Sequence, residues 1–288
     1  MWKNKFKTLL LLVALSGLFM FVGELFGGTQ GMIVAFCIAL LMNGIAYFFS
    51  DKIVLKLYGA TPLEEQQHPD IVRTVRELSD TMRLPMPKLW IVHTPVANAF
   101  ATGRNPQNSS IAVTSGILAI LEPEELRGVL AHEMSHIQNR DILVGTLAAT
   151  MATAIGYLAN MAQHSLMWGS DRRKGNNIFG ILCAAILMPL AATILQLSVS
   201  RSREYLADET GAHACRDPLA LASALQKLHN NVRHAHFDKE DSMQASTASL
   251  FIVHPFLAKG MLELFSTHPP LEKRIERLQK IHNHGLYK

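Results

Sequence analysis

The chain has 288 residues, of which 49% are hydrophobic and only 17% charged, and its mean hydropathy is +0.17. Soluble domains usually carry about a quarter charged residues, so this composition predicts membrane segments. Lysine and arginine total 27 against 23 acidic residues, and no basic stripe with interleaved aromatic residues occurs, which argues against nucleic-acid binding. The three cysteines form no CxxC pair, which excludes a disulfide framework and a cysteine zinc site.

An apolar pair of segments, 9–22 and 31–49, opens the chain. A spanning helix needs about 20 mostly apolar residues, and the first segment reaches that length only if 23–26 are included. No A-x-A-like cleavage site follows it, so an anchor is favoured over a cleaved signal. Lysines flank the pair on both outer sides, and positive flanks stay in the cytoplasm. We therefore expect a spanning hairpin with both ends in the cytosol.

A second apolar pair covers 142–162 and 178–199, and neither segment contains a charged residue. Both have full membrane length, which favours spanning. The turn between them carries a net positive charge, however, and Pro189 interrupts the last segment. The alternative is a helical hairpin that is buried in the protein or only partly inserted.

The segment between the two pairs is predicted to be an α+β unit. Helical spacing predicts a helix at 70–84, and turn residues separate three predicted strands at 88–93, 98–103 and 110–117. The sequence from Glu122 to Glu125 has a proline and acids typical of a helix start, and that helix should continue through 132–136. Later helices are expected around 203–208, at 218–228 and after the proline pair at 269–270.

His132-Glu133-Met134-Ser135-His136 fits the H-E-x-x-H pattern. On a helix, residues four apart share a face, so both imidazoles can bind one metal ion. Zinc accepts imidazole nitrogen and keeps one position open for water in catalytic sites. Glu133 is placed to take a proton from that water. The pattern alone also fits a surface helix, but here a strong helix start and an apolar flank favour the zinc site.

A third protein ligand has to come from outside this motif, because Asn139 and Ile142 stand where a longer version carries glycine and histidine. Glu204 and Asp208 lie four apart, so one carboxylate can bind zinc while the other holds a ligand histidine. The paired apolar segments return both carboxylates to the side of the histidines. Asp141 follows His136 by five residues, at about 100° per residue around the helix, so it is expected to project away from the metal face.

The order of these motifs resembles the HtpX heat-shock membrane metalloproteases, which are gluzincins related to the CAAX prenyl-protein endopeptidases. The resemblance covers the two-helix anchor, NAFATG, HEMSH, the second apolar pair and SREYLAD. It implies a zinc endopeptidase of the bacterial inner membrane that acts on damaged or misfolded membrane proteins. By position, it makes His132, His136 and Glu204 the ligands, Glu133 the base and Asp208 the partner of a ligand histidine.

Two further motifs are candidates for substrate handling. Asn98, Ala99, Phe100 and Ala101 begin a strand of small alternating residues that could pair with an extended peptide. An ordinary core strand is equally compatible with the sequence, and the resemblance favours the edge strand. His268 and Arg274 flank the last helix start and are candidates for stabilising an oxyanion; a helix-capping turn is the alternative for His268.

The sequence thus predicts a mostly helical, zincin-like α+β catalytic domain with a small sheet and about four transmembrane or membrane-embedded helices. The expected parts are a transmembrane hairpin (1–50), a first peptidase part (51–141), a second hydrophobic pair (142–200) and a second peptidase part (201–288). The predicted function is a multi-pass zinc endopeptidase with one Zn²⁺ per chain, acting on proteins or peptides at the bilayer from the cytoplasmic side. A non-proteolytic zinc adaptor or chaperone is the alternative.

Overall fold

The computed structural model describes residues 2–147, 150, 201–234 and 269–285. Most of the second apolar pair and His268 lie outside this part of the chain. The described helices are α1 Trp2–Leu57, α2 Pro69–Met82, α3 Ser115–Ile120, α4 Pro123–Gln138, α5 Arg201–Cys215, α6 Pro218–His234 and α7 Leu271–Asn283, with a further helical stretch at 142–147. The strands are β1 Thr61–Pro62, β2 Lys88–Val92, β3 Ala99–Asn105 and β4 Asn108–Thr114.

Helix α1 consists of two arms that meet at Gly28, whose φ of 57° and ψ of −149° interrupt the helix. Only glycine adopts such angles without strain. Asn43 Nδ2 of the second arm donates to Ser16 Oγ at 2.8 Å and to Leu12 O at 3.2 Å. These contacts between residues far apart in sequence hold the arms side by side, as the sequence predicted for a hairpin.

One helix among the described residues, Gly28–Leu57, is long and apolar enough to cross a membrane. Its most apolar window has a mean hydropathy of 2.2 and is only 17% buried, unlike the core helix of a soluble protein. The helix extends beyond the predicted end at residue 49, because Val54 and Leu55 are buried against the sheet. Of the four predicted membrane helices, the described part of the chain thus contains one clear candidate, and most of the second apolar pair lies outside it.

The four strands form one mixed sheet in the order β1-β2-β4-β3. Strands β2 and β4 are parallel, and β3 is antiparallel to β4, with Ala101 opposite Ile111. Within the described part of the chain, β3 is therefore an edge strand, which is the option that the family resemblance favoured. The predicted strand 110–117 is too long: Thr114 Oγ1 accepts from Ile117 N at 3.1 Å, and this cap starts helix α3 at Ser115.

The sheet has apolar residues on both faces, in the alternation expected of a strand. Phe100 and Ala112 pack with Val54 and Leu55 at the end of α1. Ala99 and Ala101 face the main core, which α2, α4, α5, α6 and α7 complete. The edge strand therefore lies between the membrane helix on one face and the HExxH-bearing helix α4 on the other.

Candidate metal centre

Three side chains, His132, His136 and Glu204, bring one ligand atom each to within 4.8 Å of one another. The two Nε2 atoms are 3.2 Å apart, and the Glu204 oxygens lie 3.8 and 3.7 Å from them. Tetrahedral zinc with bonds of about 2.0–2.2 Å separates its ligands by roughly 3.3–3.6 Å. Two imidazoles and a carboxylate at these separations fit a catalytic zinc site.

Helix α4 presents both histidines on one face. A capping box at Glu122 and Glu125 fixes its start, and Ser223 and Lys227 of α6 bind the Glu125 carboxylate at 2.6 and 2.7 Å. The prediction of a helix that runs from this start through both histidines is confirmed. The second half of α4, which carries His132 and Glu133, is buried, so both side chains face protein rather than solvent.

Helix α5 approaches α4 closely enough for Glu204 to reach the histidines. The two backbones are close at Gly211, where an added Cβ would lie 2.9 Å from His132 N and 3.0 Å from His132 Cα. Any larger residue would push the two backbones apart, because real Cβ atoms do not approach backbone atoms so closely. Glu204 lies two turns earlier on the same helix, so this glycine sets its distance from the two histidines.

His132 is held by residues from two distant elements. Its Nδ1 lies 3.0 Å from Asp208 Oδ1. Arg274 of α7 donates from Nε to Asp208 Oδ2 at 2.8 Å and from Nη2 to Oδ1 at 2.7 Å. Burial raises the pKa of the Asp208 carboxyl, but the Arg274 guanidinium outweighs it and holds the pKa at about 2. Asp208 therefore stays charged, as a carboxylate that supports a ligand imidazole must.

His136 is held by Asp141, and the expectation that Asp141 points away from the metal face is wrong. His136 Nδ1 lies 3.2 and 3.3 Å from the two Asp141 oxygens, and Arg203 Nε is 3.9 Å from Oδ2. The helix ends at Gln138, and Arg140 takes a left-handed conformation with φ 56°. Asp141 N then donates back to His136 O at 3.2 Å, which turns the chain beneath the histidine.

The two histidines differ in their affinity for protons. Burial lowers the pKa of His132, although Asp208 opposes this effect. Burial also lowers the pKa of His136, but Asp141, Glu204 and Glu133 outweigh it and raise the pKa to about 10. The carboxylates of Asp141 and Glu204 face the His136 imidazole. Their negative charge therefore favours a positive charge at His136, whether a proton or a metal ion.

Glu133 is buried and lies between the cluster and the sheet. Its Oε2 accepts from Ala101 N of the edge strand at 2.8 Å. Burial raises its pKa to about 7, with a smaller contribution from the neighbouring Glu204 carboxylate. A carboxyl that titrates near neutrality can both take up and release a proton. Its position beside the two histidines fits the predicted role of a proton acceptor.

The outer edge of β3 faces the metal cluster. Ala101 N donates to Glu133, and two residues later Gly103 N donates to Thr146 Oγ1 at 3.3 Å. Alternate residues of the strand therefore direct their backbone groups away from β4. Thr102 Oγ1 also lies 3.1 Å from Thr146 Oγ1, so the far end of the strand contacts the helical stretch at 142–147.

Most of the predicted site residues meet at one place, and the structure adds two that the sequence did not indicate. Arg274, an oxyanion candidate, is buried and ion-paired with Asp208, while His268 lies outside the described residues. The added residues are Asp141 and Arg203. The sequence shows that Asp141 is close to the HExxH motif. It does not show that the chain turns at Arg140, and this turn is what brings Asp141 to His136.

The family model "Peptidase family M48" matches residues 65–282. The chain is 49% identical to "Protease HtpX homolog" of Syntrophobacter fumaroxidans, an alignment that covers 96% of this chain and 99% of that protein. It is 51% identical to "Protease HtpX homolog" of Pyrococcus furiosus, which covers 96% of this chain and 95% of the relative.

A solved structure supports the fold. The crystal structure of S. mikatae Ste24p matches with a TM-score of 0.51 at 18% sequence identity, and the match covers 96% of this chain and 65% of that one. The resemblance to the relatives of the CAAX endopeptidases, predicted from the motifs, is thereby confirmed at the level of fold. By the family match and these full-length relatives, the chain belongs to peptidase family M48 and is a membrane metalloprotease of the HtpX type.

Proposed function

We propose that this metalloprotease holds one zinc ion through His132, His136 and Glu204 and cleaves peptide bonds of damaged or misfolded membrane proteins. The observation that carries the proposal is the buried cluster of these three ligand atoms within 4.8 Å beside the carboxylate of Glu133. Two histidines and one carboxylate are a common ligand set of catalytic zinc. When bound, zinc supplies Lewis-acid chemistry, which polarises a peptide carbonyl and makes water a better nucleophile.

Glu133 acts as the general base in this proposal. Its pKa of about 7 leaves a substantial fraction ionised at neutral pH, ready to accept a proton from the attacking water. The Ala101 N–H fixes the carboxylate beside the cluster. In the second half of the reaction Glu133 returns the proton to the leaving amine, because the same carboxyl lies next to both groups.

Asp208 and Asp141 act as positioning residues, one for each ligand histidine. A carboxylate at Nδ1 fixes the tautomer so that Nε2 presents its lone pair to the metal. Residues 98–101 are the proposed binding strand for substrate, which would add its backbone along the outer side of this strand. Arg274 and His268 remain candidates for stabilising the oxyanion; for Arg274, the double ion pair with Asp208 provides a fixed positive charge near the centre.

We place the protein in the inner (plasma) membrane as a multi-pass protein with its catalytic domain in the cytoplasm. The lysines on both outer sides of the first apolar pair support this orientation. The proposed parts are the hairpin 1–50, the peptidase parts 51–141 and 201–288, and the apolar pair 142–200 between them. Quality control in stress is the proposed role, based on the resemblance to heat-shock proteases.

The test compares the parent protein with Glu133→Gln, both purified in detergent. The parent should bind about one zinc ion per chain and hydrolyse casein. The variant should keep its zinc, because Glu133 is not among the three ligands, and should lose essentially all hydrolysis. Zinc content measured by mass spectrometry distinguishes the base from a ligand. Casein hydrolysis by the Gln variant at the parent's rate would refute the assignment.

A further inference from the structure

The helical stretch at 142–147, with which the second apolar pair begins, lies between the metal centre and strand β3. Asp141 immediately precedes it and lies 3.2 Å from His136 Nδ1. Thr146, about 7 Å further along the helix, contacts β3 at Thr102 and Gly103. The stretch therefore joins the end of the HExxH helix to the strand that holds Glu133.

The hydroxyl of Thr146 uses its full hydrogen-bonding capacity, which is one donor and two acceptor sites. It donates to Ile142 O at 2.7 Å, so toward β3 it acts as an acceptor. Gly103 N donates to it at 3.3 Å, and Thr102 Oγ1, 3.1 Å away, supplies the second donor. Thr102 and Thr146 are both fully buried, so bulk water does not replace these contacts.

The pairing of β3 with β4 becomes irregular just after this point. Ala101 lies opposite Ile111 and Gly103 opposite Ser109, but the register shifts between Gly103 and Asn105. Such an irregularity interrupts the ladder of hydrogen bonds and bends the strand. The bond from Gly103 N to Thr146 therefore holds β3 at the last residue before the ladder is interrupted.

Glu133 closes these contacts into a ring. Its Oε2 accepts from Ala101 N, two residues before Gly103, and the two N–H groups lie about 7 Å apart on the same side of the strand. From Gly103 the ring continues through Thr146 and its helical stretch to His136, which lies on the same helix as Glu133. A displacement of the strand at Gly103 therefore moves the donor that holds the Glu133 carboxylate.

We propose that Thr146 is a positioning residue for the hydrolytic reaction: its hydroxyl fixes β3 so that Ala101 N holds the Glu133 carboxylate beside the metal ligands. This inference rests on the proposed function, in which Glu133 is the general base. Thr146 acts through the strand and not by contact with the reacting atoms. A misplacement of about 1 Å at a catalytic group can cost roughly a hundredfold in rate, so loss of the hydroxyl should reduce kcat while the zinc ligands stay in place.

The test compares Thr146→Val with Thr146→Ser, both as full-length protein in detergent with a fluorogenic peptide from casein as substrate. Valine keeps the branched shape without the hydroxyl, and serine keeps the hydroxyl. Thr146→Val should bind about one zinc ion per chain, and its kcat should fall about 10–100-fold with KM within about threefold of the parent. Thr146→Ser should keep kcat within about threefold, because its hydroxyl offers the same donor and acceptor sites.

Thr150→Val is the matched control on the same apolar segment. Thr150 is buried, and its Oγ1 donates to Thr146 O at 2.9 Å, which is the same type of bond that Thr146 makes to Ile142 O. This substitution removes no contact with β3, so kcat should stay within about threefold of the parent. A parental kcat in Thr146→Val, or equal losses in Thr146→Val and Thr150→Val, would overturn the inference.

Amide hydrogen exchange measures the strand itself, without turnover. Peptides that cover 98–104 should exchange at least about tenfold faster in Thr146→Val than in the parent, and at the parental rate in Thr146→Ser and Thr150→Val. Parental exchange in Thr146→Val would overturn the role of the hydroxyl. If the parent protein cuts no peptide, the proposed function fails, whereas the exchange rates still decide whether Thr146 fixes β3.

Thr102→Val is a milder second variant, which decides the question if Thr146→Val does not fold. It leaves the bond from Gly103 N to Thr146 in place and removes one of the two contacts between β3 and the helical stretch. Its kcat should fall about threefold to tenfold at unchanged zinc content, with faster exchange at 98–104. Parental kcat together with parental exchange in this variant would refute the inference.

Discussion

The two ligand histidines lie one helical turn apart, yet the residues that hold them come from different parts of the chain. His132 depends on Asp208 and Arg274, which belong to α5 and α7 and form a buried double ion pair. His136 depends on Asp141, which follows it by five residues and whose carboxylate Arg203 approaches at 3.9 Å. One support is made by tertiary packing and the other mainly by a local turn, so they should respond differently to substitution.

Glu204 lies between both supports, and its removal should have the largest effect. Its two oxygens face His132 and His136 at 3.8 and 3.7 Å. In Glu204→Ala, zinc content should fall from one per chain to near zero, and casein hydrolysis should drop at least about a thousandfold. Glu209→Ala, on the same helix, is the matched control and should keep both. A Glu204→Ala protein with parental zinc affinity would show that another residue is the third ligand.

Arg274→Met should destabilise the protein more than any change on the His136 side. It leaves the Asp208 carboxylate buried without its bidentate partner, which typically costs about 3–5 kcal/mol. The expected fall in Tm, measured in detergent, is roughly 10 °C.

Arg277→Met, one turn later on α7, is the control for this change. Arg277 is exposed, and its guanidinium stacks on the Tyr205 ring, 4.1 Å from the ring centroid. Its replacement should lower Tm by no more than about 2–4 °C. Equal shifts for the two variants would mean that the buried pair does not stabilise the fold.

Asp208→Asn and Asp141→Asn compare the two supports directly through zinc affinity. Loss of a residue that orients a ligand histidine typically weakens metal binding about 10–100-fold. We expect Asp208→Asn to fall in the upper part of this range and Asp141→Asn near about tenfold, because the His136 ring is partly exposed and its contacts to Asp141 are longer. Competition with a fluorescent chelator gives both affinities. Parental affinity in Asp141→Asn would show that Asp141 does not support zinc binding through His136.

The pH dependence of zinc binding should also distinguish the Asp141 support from the Asp208 support, and this is the smallest of the expected effects. Asp141, Glu204 and Glu133 raise the pKa of His136 to about 10, so zinc must displace its proton, and the zinc affinity should rise about tenfold per pH unit from pH 6 to 8. In Asp141→Asn the pKa falls, because a major cause of its elevation is removed. The loss of affinity in this variant should therefore be larger at pH 9 than at pH 6. A constant ratio across this range would contradict the proposed link between Asp141 and the proton on His136.

Helical periodicity explains how much of this site was predictable. Two histidines four apart and two acids four apart each define one face of a helix, so their grouping follows from sequence spacing alone. The same rule failed for Asp141, since it assumes a continuing helix, whereas Arg140 adopts a left-handed conformation without the glycine that usually indicates it. The partner of Asp208 was not predictable either, because Arg274 is 66 residues away and only packing brings them together.

The fold was predictable to a similar extent. The proline and acids at Glu122–Glu125 identified the start of α4, and its capping box is present. The extra residues of the predicted strand at 115–117 became helix α3, because Thr114 satisfies the Ile117 N–H and makes a helix start without a change in apolar pattern. The edge position of β3 depends on strand order, which no local pattern contains.

The separation of these residues along the chain has a consequence during translation. The edge strand, Glu133 and both histidines are synthesised before the second apolar pair, whereas Glu204 and Arg274 are synthesised after it. Domains generally fold from the N-terminus as the ribosome releases them. In the proposed site, a nascent chain therefore carries Glu133 and both histidines without Glu204, so it should be unable to cut neighbouring nascent chains until the residues that follow the second apolar pair have been translated.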